Sequence, residues 1–113
     1  MEKWLEQGEV IYGITTGFGE FKDVKIPFNE IESLQRNLIL SHSAGVGSYL
    51  PDNIVRLMLL FRINALVKGF SGVRLSLINF MVEFFNSGIV PVIPSRGSVG
   101  SSGDLAPLSH LAL

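Results

Sequence analysis

A mainly α fold, broken by short extended segments, is the class this sequence predicts, and three observations predict it. Ile31, Leu34 and Leu38 recur at helical spacing. Residues 54–67 and 73–86 are apolar on all sides, without the alternation of a half-buried strand. Glycine clusters punctuate the chain between these segments, where helices must stop.

Taken in order, residues 1–7 read as the tail of a helix closed by Gly8. Val10, Ile11 and Tyr12 form a short strand or an extended entry, and GITTGFG at 13–19 is too rich in glycine for helix and reads as a loop. Asn29 is a good N-cap, with Glu32 at the capping-box position, and it opens a helix that Gly45-Val46-Gly47 stops. Pro51 suits the first turn of a second helix through residues 54–67, ending at Gly69. A third runs over 73–86 and closes at Gly88. Because both are apolar all round, both should be deeply buried. Residues 89–94 are extended, since Pro91 and Pro94 disfavour helix in the residues before them. RGSVGSSG at 96–103 is a second glycine and serine loop. Asp104 caps a final helix, with Pro107 in its first turn. The first and last helices read as cut, so residues 1–113 are expected to be one piece of a larger domain, without internal domain boundaries.

Composition narrows the function. Nine Lys+Arg against ten Asp+Glu give a net charge of −1, which lacks the basic stripe of a nucleic-acid footprint. The absence of cysteine removes disulfide scaffolds, thiolate zinc sites and thiol nucleophiles. Charged residues make up 17%, against about 25% in a typical soluble domain. A chain of this size should then expose apolar surface that needs a partner. The longest uncharged stretch, residues 37–51, is 15 residues long and contains His42, which argues against a membrane span. The first residues lack a signal-peptide apolar core, and a cytoplasmic location is expected.

Familiar motifs fail on spacing. Neither glycine loop carries the lysine of a phosphate loop. Gly45-Val46-Gly47 lacks the third glycine of a dinucleotide fingerprint, and it follows a helix instead of a strand. Gly100-Ser101-Ser102-Gly103 does not match the Gly-x-Ser-x-Gly elbow of serine hydrolases. His42 and His110 have no carboxylate four residues away to complete a metal set. Lone helical histidines of this kind are more often structural than catalytic. Tyr12 alone is an ordinary loop anchor.

Ser101-Ser102-Gly103-Asp104 carries chemistry when read as one unit. In a tight turn the Gly103 amide nitrogen can approach the Ser101 carbonyl carbon, because glycine permits close backbone approach. Ring closure, with loss of water from the ring and from the Ser102 side chain, gives a methylidene group conjugated to an imidazolone. Only the middle serine and the third glycine are demanded, since Ser101 contributes its backbone. The product is an electrophile, and the positive end of a helix capped at Asp104 would strengthen its electron withdrawal.

GSVGSSGDLAPLSHLAL at 97–113 resembles the signature of the aromatic amino-acid ammonia-lyases, the methylidene-imidazolone (MIO) enzymes. YGITTGFG at 12–19 resembles that family's tyrosine loop. LQRNLILSHSAGVG at 34–47 resembles the helix lining its substrate-ring pocket, and RINALVKGFSGVR at 62–74 a structural helix junction. The four matches keep the family's order and cover nearly the whole chain from Gly8 onward.

The resemblance implies the N-terminal part of the helical ammonia-lyase (fumarase/aspartase-like) fold, in a catalytic domain that assembles as a homotetramer. It implies elimination of ammonia from an L-amino acid, with no external cofactor. Ser101, Ser102 and Gly103 would form the 4-methylidene-imidazol-5-one. Asp104 would support the turn, and Tyr12 would be the general base for the β-proton. Ser101 stands where the family usually has alanine. Ser41-His42 matches the pair of histidine-specific members, which points to L-histidine and urocanate. Thr15 argues the other way, since histidine enzymes typically carry asparagine there. A phenylalanine or tyrosine ammonia-lyase, or a 2,3-aminomutase with the same electrophile, is the alternative, and a fragment without mature MIO is another. The family's downstream asparagine, tyrosine, arginine and glutamate are absent from this stretch, so the isolated segment is expected to be inactive.

Overall fold

The computed structural model describes residues 7, 9–99 and 105–113. The expected helix tail at 1–7 with its Gly8 stop, and the Asp104 cap, therefore lie outside the described residues, Gln7 apart. The chain divides into two compact units, Met1–Ser41 and His42–Leu113.

The first unit is built around a turn. Residues 9–11 have no regular structure, and a turn covers 12–15, so the possible strand at 10–12 is an extended entry. The Ile14 and Thr15 amides both donate to the Ile11 carbonyl, at 3.1 and 3.0 Å. The Thr15 hydroxyl fastens the turn from inside. Its Oγ1 accepts the Ile11 N–H at 2.8 Å and donates to the Glu9 carbonyl at 2.9 Å. Thr16 Oγ1 accepts the Gly13 N–H at 3.2 Å. Both threonines are buried, and their hydroxyls are satisfied by backbone as burial requires. Thr16 then bridges Lys25 antiparallel across a short 3₁₀ turn, Gly19–Phe21. GITTGFG is thus a loop, as its glycines require.

A second 3₁₀ turn, Phe28–Glu30, leads into helix α1, Ile31–His42. Asn29 lies inside that turn, which corrects the expected cap. Pro27 offers its carbonyl to the Glu30 N–H at 2.9 Å, so the chain tightens there before the α-helix begins. Residues 31, 34, 35, 38, 39 and 42 are half-buried, forming one stripe along α1. Gln35 Nε2 on that stripe donates to the Gly13 carbonyl at 3.1 Å and ties the helix to the Tyr12 turn.

The second unit holds a two-stranded antiparallel sheet and three helices. Strand β1, Val46–Tyr49, pairs with β2, Pro94–Arg96. Val46 faces Arg96 and Tyr49 faces Pro94, so β1 carries one extra residue, a bulge. β1 is a correction, because the sequence offers Gly45-Val46-Gly47 only as a helix stop. Residues 89–93, expected to be extended, carry no regular structure and lead into β2, with a bond from the Leu50 N–H to the Ile93 carbonyl at 2.8 Å. Ile93 is fully buried.

Helix α2, Asp52–Leu66, begins one residue after Pro51, whose ψ of 144° is not helical. Helix α3, Leu75–Asn86, begins two residues later than its pattern implied, with Arg74 as the cap. Gly69 and Gly88 follow them with φ near +78° and +77°, the left-handed conformation that lets a helix end turn away. Helix α4 is Leu105–Ala112 and keeps Pro107 in its first turn.

Leu59, Ile63, Leu66 and Met81 form the core between α2 and α3, with Val73, Ile78 and Leu111 packed against it. The Arg56 guanidinium lies 4.4 Å from the Phe85 ring centre and donates to the Phe85 carbonyl at 3.3 Å. This joins a cation–π contact to a hydrogen bond. Deep burial of α2 and α3 is not observed in this chain. Each buries one stripe, while Leu57, Phe61, Leu75, Leu77 and Phe80 stay exposed. The reason is surface to volume, because each helix has too few neighbours here to cover a second face. The expected apolar surface is therefore present. No described helix is long and apolar enough to cross a membrane.

Two substitutions check these units. Leu59→Ala should lower the unfolding free energy by about 2–5 kcal/mol in denaturant titration, whereas Leu59→Met should cost less than about 1.5 kcal/mol. Thr15→Val keeps the volume but strands the Ile11 N–H and the Glu9 carbonyl. It should cost about 1–3 kcal/mol and speed amide hydrogen exchange at Ile11.

Candidate active site

The residues singled out for chemistry fall into three places. Tyr12 opens the turn of the first unit, and its side chain is 62% exposed. The Phe18 ring meets it edge-on, with centroids 5.8 Å apart and planes at 72°. The phenol oxygen lies 3.5 Å from the Gly19 amide, which donates to it. The ring is therefore held from one side, and the hydroxyl stays open to an incoming group.

Ser41 and His42 end helix α1 but do not share a surface. Ser41 is exposed, and its hydroxyl donates to the Leu38 carbonyl at 3.0 Å. His42 continues the half-buried stripe of Leu34 and Leu38. Helical geometry decides this, since adjacent residues point about 100° apart. Thr15, which complicated the substrate reading, has its hydroxyl engaged by the Ile11 amide and the Glu9 carbonyl.

Ser101, Ser102, Gly103 and Asp104 lie outside the described residues, but the backbone on both sides of them is defined. Gly97 leaves β2 with φ at 146°, and a Cβ placed there would sit 2.8 Å from the Gly45 Cα. On the far side, His110 of α4 reaches the same residue, and its Nε2 accepts the Gly45 N–H at 2.8 Å. A Cβ on Gly45 would lie 2.7 Å from His110 Nε2 and 3.0 Å from the Pro94 Cβ. Glycine is thus required at both positions by close approach. Nε2 is the acceptor in this bond, which leaves Nδ1 as the ring's donor position.

Sequence reading missed this junction. In the sequence Gly45 is part of a helix stop and His110 is a lone helical histidine. The 65 residues between them hide the pairing, and no local spacing announces it. Among the described residues no group of three or more histidines and carboxylates is placed to hold a metal ion.

The comparisons with known proteins agree over the whole chain. The family described as aromatic amino acid lyase matches residues 1–113. A curated histidine ammonia-lyase from Shouchella clausii is 58% identical over all 113 residues, which cover 23% of that protein. Its counterpart from Caldanaerobacter subterraneus subsp. tengcongensis is 54% identical, with 22% of its length covered. The chain therefore spans about a fifth of the length of the curated relatives it matches. Among solved structures, histidine ammonia-lyase from Trypanosoma cruzi superposes with a TM-score of 0.84 at 46% identity, covering 99% of this chain and 20% of that one. Tyrosine aminomutase from Streptomyces globisporus gives 0.87 at 43% identity, covering 98% and 20%. With a family match over every residue and this helical fold shared at such identity, the chain belongs to the aromatic amino acid lyase family.

Proposed function

We propose that the full-length protein eliminates ammonia from L-histidine to give urocanate. The observation that carries this reading is the 54–58% identity, over every residue of the chain, to curated histidine ammonia-lyases. Ser41-His42 supports it, as the pair that marks histidine-specific members. Thr15 weighs little against it, because its hydroxyl is engaged in forming the turn.

The chain's own residues fit the MIO group in sequence and in their flanks. Ser101-Ser102-Gly103 supplies every atom of the ring, and Gly97 before it and His110 after it in sequence both meet Gly45. Once formed, the group supplies an electrophile that makes the β-proton removable and the amine a leaving group. Tyr12 is the base that takes this proton. A tyrosine has a pKa near 10 in water, so it needs an enclosed, electropositive site to act near neutral pH. Tyr12 is largely exposed in this chain, and the enclosure has to come from the rest of the protein. His42, on the half-buried stripe of α1, orients the substrate ring. Completion of the site by further residues of a cytoplasmic homotetramer belongs to the same proposal, since catalysis needs the whole constellation held in place.

The second reading is an aminomutase or an aromatic lyase on the same electrophile, favoured by the superposition on tyrosine aminomutase. Product analysis of the full-length protein with histidine, phenylalanine and tyrosine separates the readings. Urocanate as the main product is expected, and a β-amino acid or a cinnamate as the main product overturns it. His42→Leu should shift preference from histidine toward phenylalanine, and an unchanged profile removes His42 from the ring pocket. Tyr12→Phe should lose turnover by on the order of a hundredfold or more while keeping the mass deficit of two waters.

A further inference from the structure

Tyr12 is followed by glycine, the residue with the least restrained backbone, yet Gly13 is held on three sides. Its N–H donates to Thr16 Oγ1 at 3.2 Å. Its carbonyl accepts the Gln35 Nε2–H at 3.1 Å. The Phe18 ring occupies the place of a side chain, since a Cβ built on Gly13 would lie 2.8 Å from Phe18 Cε1. Gly13 itself has φ at 71°, in the left-handed region. The Thr16 bond holds the peptide plane between Tyr12 and Gly13, and the Gln35 bond holds the plane between Gly13 and Ile14. Together they set the two soft dihedrals of the residue beside the phenol.

Two of these restraints are local. Thr16 and Phe18 belong to the same loop as Tyr12 and move with it. Gln35 comes from helix α1, 22 residues further along the chain. It is a polar residue on a half-buried stripe that it shares with Ile31, Leu34, Leu38 and Ile39. A side-chain amide placed there is costly unless it is hydrogen-bonded, and the backbone next to Tyr12 supplies the acceptor. Gln35 thereby refers the tyrosine turn to a helix, which bonds within the loop cannot do.

The consequence concerns proton removal, so the inference rests on the reading of Tyr12 as the base. A base takes a proton only from within about 2.6–3.2 Å. The Tyr12 ring meets Phe18 on one side and is otherwise largely exposed, so its placement comes from the backbone that carries it. A displacement of about 1 Å can lower a rate on the order of a hundredfold.

We propose that Gln35 is a positioning residue for proton removal by Tyr12. Its Nε2–H, bound to the Gly13 carbonyl, keeps the turn in the geometry from which the phenol oxygen reaches the β-proton. Gln35 acts through the Gly13 peptide and takes no part in the proton transfer. What the position requires is an N–H donor at the end of an unbranched side chain. Methionine fills a similar volume without a donor. Glutamate keeps the shape, but its ionised carboxylate offers only acceptors to a carbonyl.

The test uses the full-length protein with L-histidine as substrate and urocanate absorbance as the readout. Gln35→Met, with parental circular dichroism and the parental mass deficit of two waters, should lower kcat by on the order of three- to tenfold. That is the population shift expected from losing one neutral hydrogen bond. KM should stay within about twofold of the parent's. In a Tyr12→Phe background the same substitution should leave the residual rate unchanged, because no base remains to be misplaced. Gln35→Glu should behave like Gln35→Met at neutral pH, and it carries the test alone if Gln35→Met does not fold. A parental kcat in a folded variant overturns the proposal. So does a loss confined to KM, or an equal fractional loss in kcat with and without the Tyr12 hydroxyl. Parental turnover in Tyr12→Phe overturns the reading of Tyr12 as the base, and this proposal with it. Turnover of a different amino acid by the parent overturns the substrate alone, and the same comparison is then read with that amino acid. A parent that eliminates ammonia from none of histidine, phenylalanine and tyrosine overturns the elimination reading and this proposal together.

Discussion

One contact organises the second unit, and it is a contact made possible by missing side chains. Gly45 and Gly97 bring their backbones so close that a Cβ on Gly97 would stand 2.8 Å from the Gly45 Cα. In the space this opens, the His110 imidazole reaches the Gly45 amide. The sheet, the start of β1 and helix α4 all take their positions from this junction. Gly45 is half-buried, and its amide left without an acceptor would carry part of the cost of an unsatisfied donor, so the histidine is tied to the site by what its absence would leave behind.

The first unit solves a similar problem with hydroxyls. The turn that carries Tyr12 has no regular ladder to satisfy its amides. Thr15 and Thr16 do it from beneath, and Gln35 brings α1 up to the Gly13 carbonyl. A flexible loop becomes a defined perch for a phenol. In both units, polar side chains satisfy backbone groups that no regular ladder pairs.

The helices tell of scale. α2 and α3 each bury a single stripe, joined by Leu59, Ile63 and Met81 and by Arg56 over Phe85. Their remaining apolar faces are exposed. Low charge in this chain is therefore a property of surfaces that suit further protein, in a chain spanning about a fifth of its curated relatives.

Much of this was legible in the residues. Helical spacing located α1, α2 and α3 to within two or three residues, because packing one face against a neighbour needs that period whatever the neighbour is. Glycines marked the helix ends, since Gly69 and Gly88 adopt positive φ. The serine and glycine unit, the tyrosine loop and Ser41-His42 carried the family, because chemistry demands residue types in a fixed local order. Boundaries set by competition were less legible: Pro27 starts a 3₁₀ turn that displaces the Asn29 cap. β1 was invisible because four residues acquire strand geometry only from their partner. Sequence by itself determined the positions of α1, α2 and α3 and the chemical family. Tertiary structure alone decided that His110 belongs with Gly45. Hydrogen bonds across 65 residues depend on where the chain returns, and no local pattern encodes that.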